Sequence, residues 1–509
     1  MFYPLIIRDF IERADTVYPD RVGLVDEPDQ PATSWGAITY GEMARRARHQ
    51  AAWFDSLALE PGSRIAMVSH NSSRLLTSFY GVAGYGRVFV PINFRLAAPE
   101  VRYIVGHSGA DVLLVDPELK AGLLSEDDPI RARVVRVLGE DDAEIFGVPG
   151  SDAAPGPWVP DEAATATINY TSGTTARPKG VQQTHRATWL NATVFALHAG
   201  LTDRDVYLHT LPMFHANGWG MPFGTTGLGI KQVVIRKIDG AEILRRVAEY
   251  GVTVMCAAPA VLNAVLDALP TWEGDIPGRG TVRVICAGAA PPTRTIERVR
   301  ADLNWEFIQI YGLTETSPLL TVNRMRSEWE VLPATDQARL LGRAGAPALG
   351  VRIDISEDGE ILAQSNHNLD AYWQNPDATA DAQRDNWFHT GDGGTFVDGY
   401  LTISDRKKDV IITGGENVSS IEVEDAVMSH PEVREVAVIG IPDEKWGELV
   451  TALVVRDESS ALTERDLIAH CRISLAGFKC PKKVEFVAEL PRTATGKLQK
   501  FKLREPYWR

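Results

Sequence analysis

The chain has 509 residues, with 52 Lys and Arg against 67 Asp and Glu, which gives a formal net charge of −15 at pH 7. Hydrophobic residues make up 44% of it and charged residues 23%, a composition that is typical of folded proteins and argues against intrinsic disorder. An acidic chain repels phosphate backbones, which disfavours bulk binding of nucleic acid. At about 150 residues per domain, this length predicts roughly three domain-sized units.

The cysteines and the apolar segments favour a cytoplasmic location. Cys256, Cys286, Cys471 and Cys480 follow no zinc-binding spacing and suggest no disulfide framework. The apolar run at residues 1–7 is too short for a signal sequence and has no basic segment before it. No stretch of about 18 apolar residues occurs, so we expect no membrane span.

Residues 1–160 alternate between helical and strand patterns. The pattern predicts helices over residues 10–18 and 40–57 and short apolar strands over residues 64–68 and 112–115. Short apolar strands between helices indicate a parallel sheet with crossover connections.

A connection rich in Pro, Ala and Asp at residues 151–160 precedes a second α/β stretch. The pattern there predicts strands over residues 233–235, 252–255 and 282–285 and a helix over residues 242–250. This alternation again favours a parallel sheet.

The sequence pattern changes from about residue 341. Gly, Pro and strand-like runs such as 351–355 and 359–362 indicate a small antiparallel β unit there. Beyond residue 405 the chain has an α+β pattern of its own. It predicts strands over residues 436–439 and 453–455 and a helix over residues 464–474.

Together these patterns predict an α/β fold in two parts. The large N-terminal domain, residues 1–405, is expected to contain parallel α/β units at about 1–165 and 166–340 and a small β-barrel-like unit at 341–405. A charged hinge would join it to a small α+β C-terminal domain, residues 406–509, whose size suits a separate domain.

Residues 170–181, Tyr-Thr-Ser-Gly-Thr-Thr-Ala-Arg-Pro-Lys-Gly-Val, form a candidate phosphate loop. Small hydroxylated residues allow N–H and O–H donors to surround phosphate oxygens, and a lysine adds a compact charge. It is not a Walker A loop, because Lys179 is followed by Gly180. By composition alone, a plain Ser/Thr/Gly turn is the alternative. The candidate phosphate ligands are Thr171, Ser172, Gly173, Thr174, Thr175 and Lys179.

This loop resembles the signature of the AMP-forming adenylating superfamily, which comprises acyl-CoA synthetases, luciferases and carrier-protein adenylation domains. Five further motifs resemble that superfamily in order, at residues 311–316, 387–392, 405–409, 414–418 and 491–497. One departure is Ala176, where the family usually has glycine. The resemblance implies a two-step reaction: a carboxylate attacks the α-phosphate of ATP and releases pyrophosphate, and a thiol then displaces AMP.

The resemblance also implies roles for the first of these motifs. Glu315 would bind Mg²⁺ together with Thr171, Thr314 would donate to the α-phosphate, and Tyr311 would offer a face for adenine. A hard cation prefers such oxygen ligands and can bridge phosphate oxygens. The remaining expected nucleotide contacts are Gly288, Ala289, Ala290, Gly312 and Thr316, of which Gly288 and Gly312 would also contact the acid.

Residues near the domain boundary would hold ribose and move the second domain. Asp392 matches the family's ribose-binding carboxylate, and Arg406 would add a forked donor. Lys408 lies at the family's hinge, about which the C-terminal domain rotates between the half-reactions, whereas Lys407 is interpreted as a surface residue. Lys497 resembles the family's mobile lysine, which bridges the carboxylate and the α-phosphate during adenylation.

The second half-reaction would use another face of the C-terminal domain. Gly414 and Gly415 would lie close to the pantetheine of coenzyme A, since glycine allows close approach to backbone. Trp446 and Lys479 are weaker candidates for contacts with the coenzyme A nucleotide, and a plain packing or surface role is the alternative for both.

The segment at residues 211–220, Leu-Pro-Met-Phe-His-Ala-Asn-Gly-Trp-Gly, indicates the acid. Amino-acid-activating relatives have Phe-Asp where this chain has Phe214 and His215, and without that carboxylate a buried ammonium would be unpaired. His215 is expected to shape the carboxylate end of the site and to act as a catalytic residue. Trp219 would gate or floor the acyl tunnel, unless it is simply a core aromatic residue.

The sequence therefore predicts an ATP-dependent acyl-CoA ligase for a fatty or other small apolar acid, with Mg²⁺ as metal and ATP and coenzyme A as co-substrates. Loading of a carrier protein and ligation of aryl acids stay open as alternatives. A non-catalytic nucleotide-binding protein is disfavoured because the catalytic motifs are intact. The partners are thus small molecules, and a homodimer remains possible.

Overall fold

The computed structural model describes residues 1–124, 130–171, 178–406, 409–457, 459–492 and 498–508. The helices are α1 Arg8–Val17, α2 Tyr40–Ser56, α3 Ser73–Ser78, α4 Ala98–Ser108, α5 Lys120–Leu123, α6 Asp142–Ile145, α7 His185–Ala199, α8 Met221–Leu228, α9 Gly240–Tyr250, α10 Pro259–Ala268, α11 Thr293–Arg298, α12 Ala334–Leu341, α13 Pro376–Ala382, α14 Ser420–Met428, α15 Glu464–Ser474 and α16 Lys500–Arg504.

The strands are β1 Val22–Val25, β2 Ala37–Thr39, β3 Arg64–Val68, β4 Val88–Ile92, β5 Val112–Val115, β6 Val134–Val137, β7 Thr165–Thr171, β8 Lys179–Thr184, β9 Val206–His209, β10 Lys231–Val234, β11 Val254–Ala257, β12 Arg283–Cys286, β13 Glu306–Gly312, β14 Leu319–Asn323, β15 Ala346–Pro347, β16 Val351–Ile355, β17 Glu360–Ser365, β18 Ala371–Tyr372, β19 Gln383–Arg384, β20 Trp387–Val397, β21 Tyr400–Arg406, β22 Ile411–Thr413, β23 Glu416–Val418, β24 Val433–Asp443, β25 Gly447–Arg456 and β26 Lys483–Phe486.

Two largely parallel sheets are built mainly from the first 340 residues, with β15 and β18 added from later in the chain. One has the strand order β18-β8-β7-β4-β3-β5-β6, and the other has the order β15-β14-β13-β12-β11-β9-β10-β1-β2. Strands β7 and β8 thus lie in a sheet with β3 to β6, while β1 and β2 lie in the other sheet. The predicted units at about 1–165 and 166–340 therefore exchange strands.

A continuous apolar core connects the two sheets. It includes Phe89 of β4, Val234 of β10 and Phe223 of α8, all of them fully buried. Phe79, just after α3, contacts the rings of both Phe89 and Phe223, with ring centroids 5.0 and 5.4 Å apart. Both sheets are thereby packed against the same apolar core.

Two smaller β units follow. Strands β16, β17, β20, β19 and β21 form an antiparallel sheet, in agreement with the β-rich unit that the sequence predicts. The C-terminal region has its own sheet, in the order β23-β22-β25-β24 with β26 added parallel to β25, and its own apolar core. The predicted α/β fold, with an additional β-rich unit and a small α+β domain, is confirmed.

Local signals explain why individual elements begin where they do. The Thr39 side chain accepts a hydrogen bond from the Glu42 amide at the start of α2, and Thr463 does the same for the Asp466 amide at the start of α15. The predicted helix over residues 464–474 matches α15 residue for residue. None of the described helices is long and apolar enough to cross a membrane.

Candidate active site

The candidate phosphate loop joins two antiparallel strands. It connects β7 to β8, and Thr171 lies directly across from Lys179 in the register of that pair. Both residues therefore stand at the mouth of the loop, at the ends of two adjacent strands of the first sheet. The predicted phosphate ligands Ser172, Gly173, Thr174 and Thr175, and the departure at Ala176, lie outside the described residues.

Tyr372 brings two predicted site residues together. Its hydroxyl donates to Oε1 of Glu315 at 2.9 Å, and its ring centroid lies 4.9 Å from Nζ of Lys179. Strand β18, which carries Tyr372, pairs with β8 so that Tyr372 lies across from Val181. Burial, and after it the charge of Glu315, raises the pKa of Tyr372 well above its usual value. The phenol thus remains a hydrogen-bond donor to the carboxylate.

Lys179 is placed to meet an anion. Among the described residues, no carboxylate forms an ion pair with its ammonium, which lies over the face of the Tyr372 ring. The face of an aromatic ring attracts a cation but is not a counter-ion. This arrangement leaves Lys179 available to pair with an anionic ligand.

The Thr314–Thr316 turn is held from several sides. The backbone carbonyl of Thr314 accepts a hydrogen bond from Nε2 of Gln183 at 2.8 Å. The hydroxyl of Thr316 donates to the carbonyl of Pro318 at 2.6 Å and accepts from the Leu313 amide at 2.9 Å. The predicted nucleotide contact Thr316 is fully buried and caps its own turn.

Gly312 precedes this turn at a point where no side chain fits. A Cβ atom there would lie 1.6 Å from the carbonyl oxygen of Pro318. The glycine therefore allows strand β13 to run directly against the chain that leaves the turn. This close approach holds Thr314 and Glu315 at the end of the strand.

Tyr311, expected beside adenine, and Asp392, expected to hold ribose, are in contact. The Tyr311 hydroxyl donates to Oδ2 of Asp392 at 2.9 Å, and both side chains are buried. Asp392 lies directly across from Arg406 in the antiparallel pair of β20 and β21. The strand pair of the β-rich unit thus brings Asp392 to Tyr311, which lies 81 positions earlier in the chain.

Gly288, Ala289 and Ala290 form a partly exposed bend that follows β12 at the carboxyl edge of the second sheet. Helix α11, a few residues later, has no side-chain cap of its own. Instead, the Asp425 carboxylate of the C-terminal region accepts hydrogen bonds from the Thr293 amide at 2.8 Å and from the Thr293 hydroxyl at 3.0 Å. This contact joins the C-terminal region to the loop that the nucleotide is expected to use.

The segment that carries His215 and Trp219 has an uncommon backbone. Residues 216–220 all have positive φ, between 38° and 81°, and three of them are not glycine. Each such non-glycine residue costs about 1–2 kcal/mol, so the surrounding structure must hold the turn in place. Trp219 is buried in the core that also contains Ile285 and Ile310, whereas His215 is only partly buried.

Among the C-terminal candidates, Gly414 contacts Trp446, whereas Lys479 forms an ion pair elsewhere. Gly414 has φ +60°, its amide donates to the Trp446 carbonyl at 2.7 Å, and a Cβ atom there would lie 3.1 Å from Cε3 of the Trp446 ring. Gly415 has φ +85° and open space around its Cα. Lys479 instead pairs with Glu422 at 2.7 Å, which supports its surface role. Lys407, Lys408 and Lys497 lie outside the described residues.

The described residues contain no group of three or more His, Cys, Asp or Glu side chains that could hold a metal ion by themselves. Glu315 is a single, half-buried carboxylate whose Oε1 accepts from Tyr372. Such a site suits Mg²⁺, which is commonly bound by one or two carboxylates together with substrate phosphates. Glu315 therefore fits a cation that arrives with ATP.

Tyr372, Gln183 and Asn217 are the functional candidates that sequence reasoning missed. Tyr372 contacts Glu315 across 57 positions, and Gln183 contacts Thr314 across 131 positions. Asn217 lies inside the segment that the sequence singles out, yet only its buried amide contacts reveal a role. The one available signal was the polar pair at positions 182 and 183, directly after Val181.

Comparisons with known proteins agree with this geometry. A family model described as AMP-binding enzyme matches residues 11–373, and one described as AMP-binding enzyme C-terminal domain matches residues 422–497. The 4-hydroxybutyrate–CoA ligase 2 of Metallosphaera sedula is 36% identical, over 97% of this chain and 93% of that protein. The 2-methylpropanoate–CoA ligase CCL4 of Humulus lupulus is 36% identical, over 99% and 95%. The solved Mycobacterium tuberculosis fatty acyl CoA synthetase is 33% identical with a TM-score of 0.72, over 99% and 98%.

Proposed function

Since the chain belongs to the AMP-binding enzyme family and is an ATP-dependent acyl-CoA ligase, we propose that its substrate is a short apolar carboxylic acid. The carboxylate attacks the α-phosphorus of ATP, the bond to the β-phosphate breaks, and acyl-AMP and pyrophosphate form. The thiol of coenzyme A then attacks the acyl carbon, and AMP leaves as the thiol loses its proton.

The observation that carries this choice of acid is the packing around Trp219. Its side chain is buried in a continuous apolar core with Phe195, Ile310 and Leu319. A long acyl chain that extended past the indole would have to displace this core, whereas a short acid would not. The two named relatives that act on 4-hydroxybutyrate and 2-methylpropanoate support the same size class.

For the nucleotide, we assign the triphosphate to the edge where Thr171 and Lys179 meet. The ammonium of Lys179 would offset charge on the leaving pyrophosphate. Asp392, oriented by the Tyr311 hydroxyl at 2.9 Å, would accept hydrogen bonds from the ribose, with Arg406 directly across the strand pair. Gly288, Ala289 and Ala290 would lie beside adenine and the acid.

Glu315 would hold Mg²⁺ together with Thr171. When bound, the cation would stabilise negative charge on the phosphates. The chain's own contribution is orientation: the Tyr372 hydroxyl holds one carboxylate oxygen at 2.9 Å and leaves the other for the cation. Thr314, on the same turn, would donate its hydroxyl to the α-phosphate.

In the site for the acid, His215 would donate a hydrogen bond to the substrate carboxylate. Trp219 would form the bottom of the pocket for the acyl group. Lys497 would bridge the attacking carboxylate and the α-phosphate in the first step only. In the second step, Gly414 and Gly415 would line the route of the pantetheine, with Trp446 packed against Gly414. Rotation of the C-terminal domain near Lys408 would replace the arrangement for acyl-AMP formation with the arrangement for thioester formation.

We further propose that the protein acts in the cytoplasm, which the absence of a membrane-crossing helix among the described residues permits. A homodimer is the oligomer to test first, by light scattering of the purified protein.

A carboxylate panel tests the proposed substrate. The purified enzyme, ATP, Mg²⁺ and coenzyme A are incubated with acetate, butyrate, 2-methylpropanoate, 4-hydroxybutyrate, octanoate, palmitate, benzoate or cinnamate, and thioesters are quantified by mass spectrometry. We expect the highest kcat/KM with a four-carbon acid and none with palmitate. An optimum at octanoate, palmitate or an aryl acid would contradict the proposed size class, and thioester formation only with a carrier protein would contradict the acceptor.

A further inference from the structure

Four buried amide and hydroxyl side chains lie between the segment of residues 215–220, called the acyl turn here, and the Thr314–Thr316 turn. The group, called the amide cluster here, consists of Thr167, Asn169, Gln183 and Asn217. Each of its members is at most 2% exposed. Thr167 and Asn169 lie on β7, Gln183 lies on β8, and Asn217 lies in the left-handed turn beside Trp219.

The hydrogen bonds of the cluster run in one direction. The Thr314 carbonyl can only accept, so Gln183 must present its amide nitrogen to it, at 2.8 Å. The Gln183 oxygen therefore faces the other way, where it accepts from Nδ2 of Asn217 at 2.7 Å and from Nδ2 of Asn169 at 3.2 Å. The backbone carbonyl thereby determines the orientation of every amide in the cluster.

Asn217 attaches the acyl turn to this chain of hydrogen bonds. Its Nδ2 also donates to the Thr167 hydroxyl at 2.8 Å, so a single amide holds two side chains of the sheet. The backbone of Asn217 has φ +46°, within a run of strained residues that need external support. Because buried hydrogen bonds are costly to break, these contacts tie the turn to the sheet.

We propose that Gln183 is a positioning residue for acyl-AMP formation. It fixes the Thr314 carbonyl, and with it the turn that carries Glu315, relative to the acyl turn that carries His215 and Trp219. The carboxylate and the α-phosphate would thus be presented to each other at a fixed separation. A displacement of reacting groups by about 1 Å can lower a rate by about 10²-fold. This inference rests on the proposed function, since it assigns the acid to the turn of Asn217.

Gln183→Met tests the proposal, because methionine keeps the length and most of the volume but cannot donate to Thr314. The matched control is Gln182→Met on the same strand, where Oε1 of Gln182 accepts from the Thr165 hydroxyl at 3.2 Å and the residue is half-buried. Acyl-AMP formation is measured by ATP–pyrophosphate exchange, and thioester formation is measured separately from supplied acyl-AMP and coenzyme A.

For Gln183→Met we expect kcat of pyrophosphate exchange to fall by about 30-fold or more, with KM for ATP changed by less than about threefold. Thioester formation should fall much less. Gln182→Met should resemble the wild type in both assays. Equal loss in both half-reactions, a rise in KM alone, or equal effects at positions 182 and 183 would overturn the proposal.

Asn217→Ser provides a second route if Gln183→Met fails to fold: by itself it should lower kcat of pyrophosphate exchange and spare thioester formation from supplied acyl-AMP, and equal loss in both would overturn the proposal. Where both single variants fold, the double variant should lose no more activity than the worse single variant, because both residues act through one chain of hydrogen bonds. Strictly multiplicative losses would refute the coupling. A wild-type enzyme that forms no acyl-AMP with any acid would instead refute the proposed function, so the two failures are distinguishable.

Discussion

Replacing Tyr372 with phenylalanine removes the hydroxyl that orients Glu315 and leaves the ring under Lys179 in place. The lost hydrogen bond joins a neutral donor to a carboxylate, and bonds of this type contribute about 1.5–3 kcal/mol. At about 1.4 kcal/mol for each tenfold change in rate, we expect kcat/KM for acyl-AMP formation to fall about 10- to 100-fold.

A Mg²⁺ titration distinguishes this cause from a general loss of activity. In ATP–pyrophosphate exchange, Tyr372→Phe should need more Mg²⁺ for half-maximal rate, because the carboxylate that binds the cation is no longer oriented. The matched control is Tyr507→Phe, which removes a hydrogen bond of 2.6 Å to Glu485 in the C-terminal domain. An unchanged rate and Mg²⁺ requirement in Tyr372→Phe, or an equal loss in Tyr507→Phe, would refute the reasoning.

The pH dependence of that loss follows from the raised pKa of Tyr372. Burial, together with the Glu315 charge, keeps the phenol protonated. A donor whose pKa is raised is present at every pH below that pKa, so the ratio of wild-type to Tyr372→Phe activity should stay constant from about pH 6 to 9. A ratio that falls toward unity as the pH rises through this range would contradict the assignment.

Other substitutions separate the half-reactions and the acyl site. Lys497→Ala should lower acyl-AMP formation by about 10²-fold or more while thioester formation from supplied acyl-AMP persists; equal loss of both would contradict its role in one step only. Gly414→Ala should slow the thioester step about fivefold and leave pyrophosphate exchange unchanged. The reason is that residue 414 has φ +60° and that the new Cβ would lie 3.1 Å from the Trp446 ring. Unchanged thioester kinetics would argue against a route for the pantetheine at Gly414. Trp219→Ala should shift the preferred acid toward longer chains in the carboxylate panel and lower the free energy of unfolding by about 3–5 kcal/mol, measured by urea denaturation; an unchanged preference would remove Trp219 from the pocket.

Elements with strong local signals could be predicted from the sequence. The strands at Arg64–Val68 and Val112–Val115 and the helix at Glu464–Ser474 have the predicted bounds. They are short apolar runs or have a clear cap, so local chemistry determines where they begin and end. The assignment of β1 and β2 to the second sheet could not be predicted, because it depends on pairing with β10 about 200 residues later.

In the candidate site too, residues within motifs could be predicted and residues placed by long-range strand pairing could not. Motif residues such as Tyr311 and Asp392 were predicted by resemblance, and they are in contact at 2.9 Å. Tyr372 was not predicted, because its segment has no motif and its role depends on the pairing of β18 with β8. A polar pair in a strand does not reveal which residue faces inward; Gln183 is buried and bonded to Thr314, while Gln182 is half-buried.

The most direct test of the two-step reaction is an order-of-addition experiment with the preferred acid. Enzyme, ATP, Mg²⁺ and acid are mixed first without coenzyme A, and acyl-AMP, pyrophosphate, AMP and thioester are followed by mass spectrometry. Acyl-AMP and pyrophosphate should accumulate in equal amounts, and addition of coenzyme A should convert the adenylate to thioester and AMP. Release of ADP and phosphate, or thioester formation with no adenylate beforehand, would contradict the reaction assigned to this site.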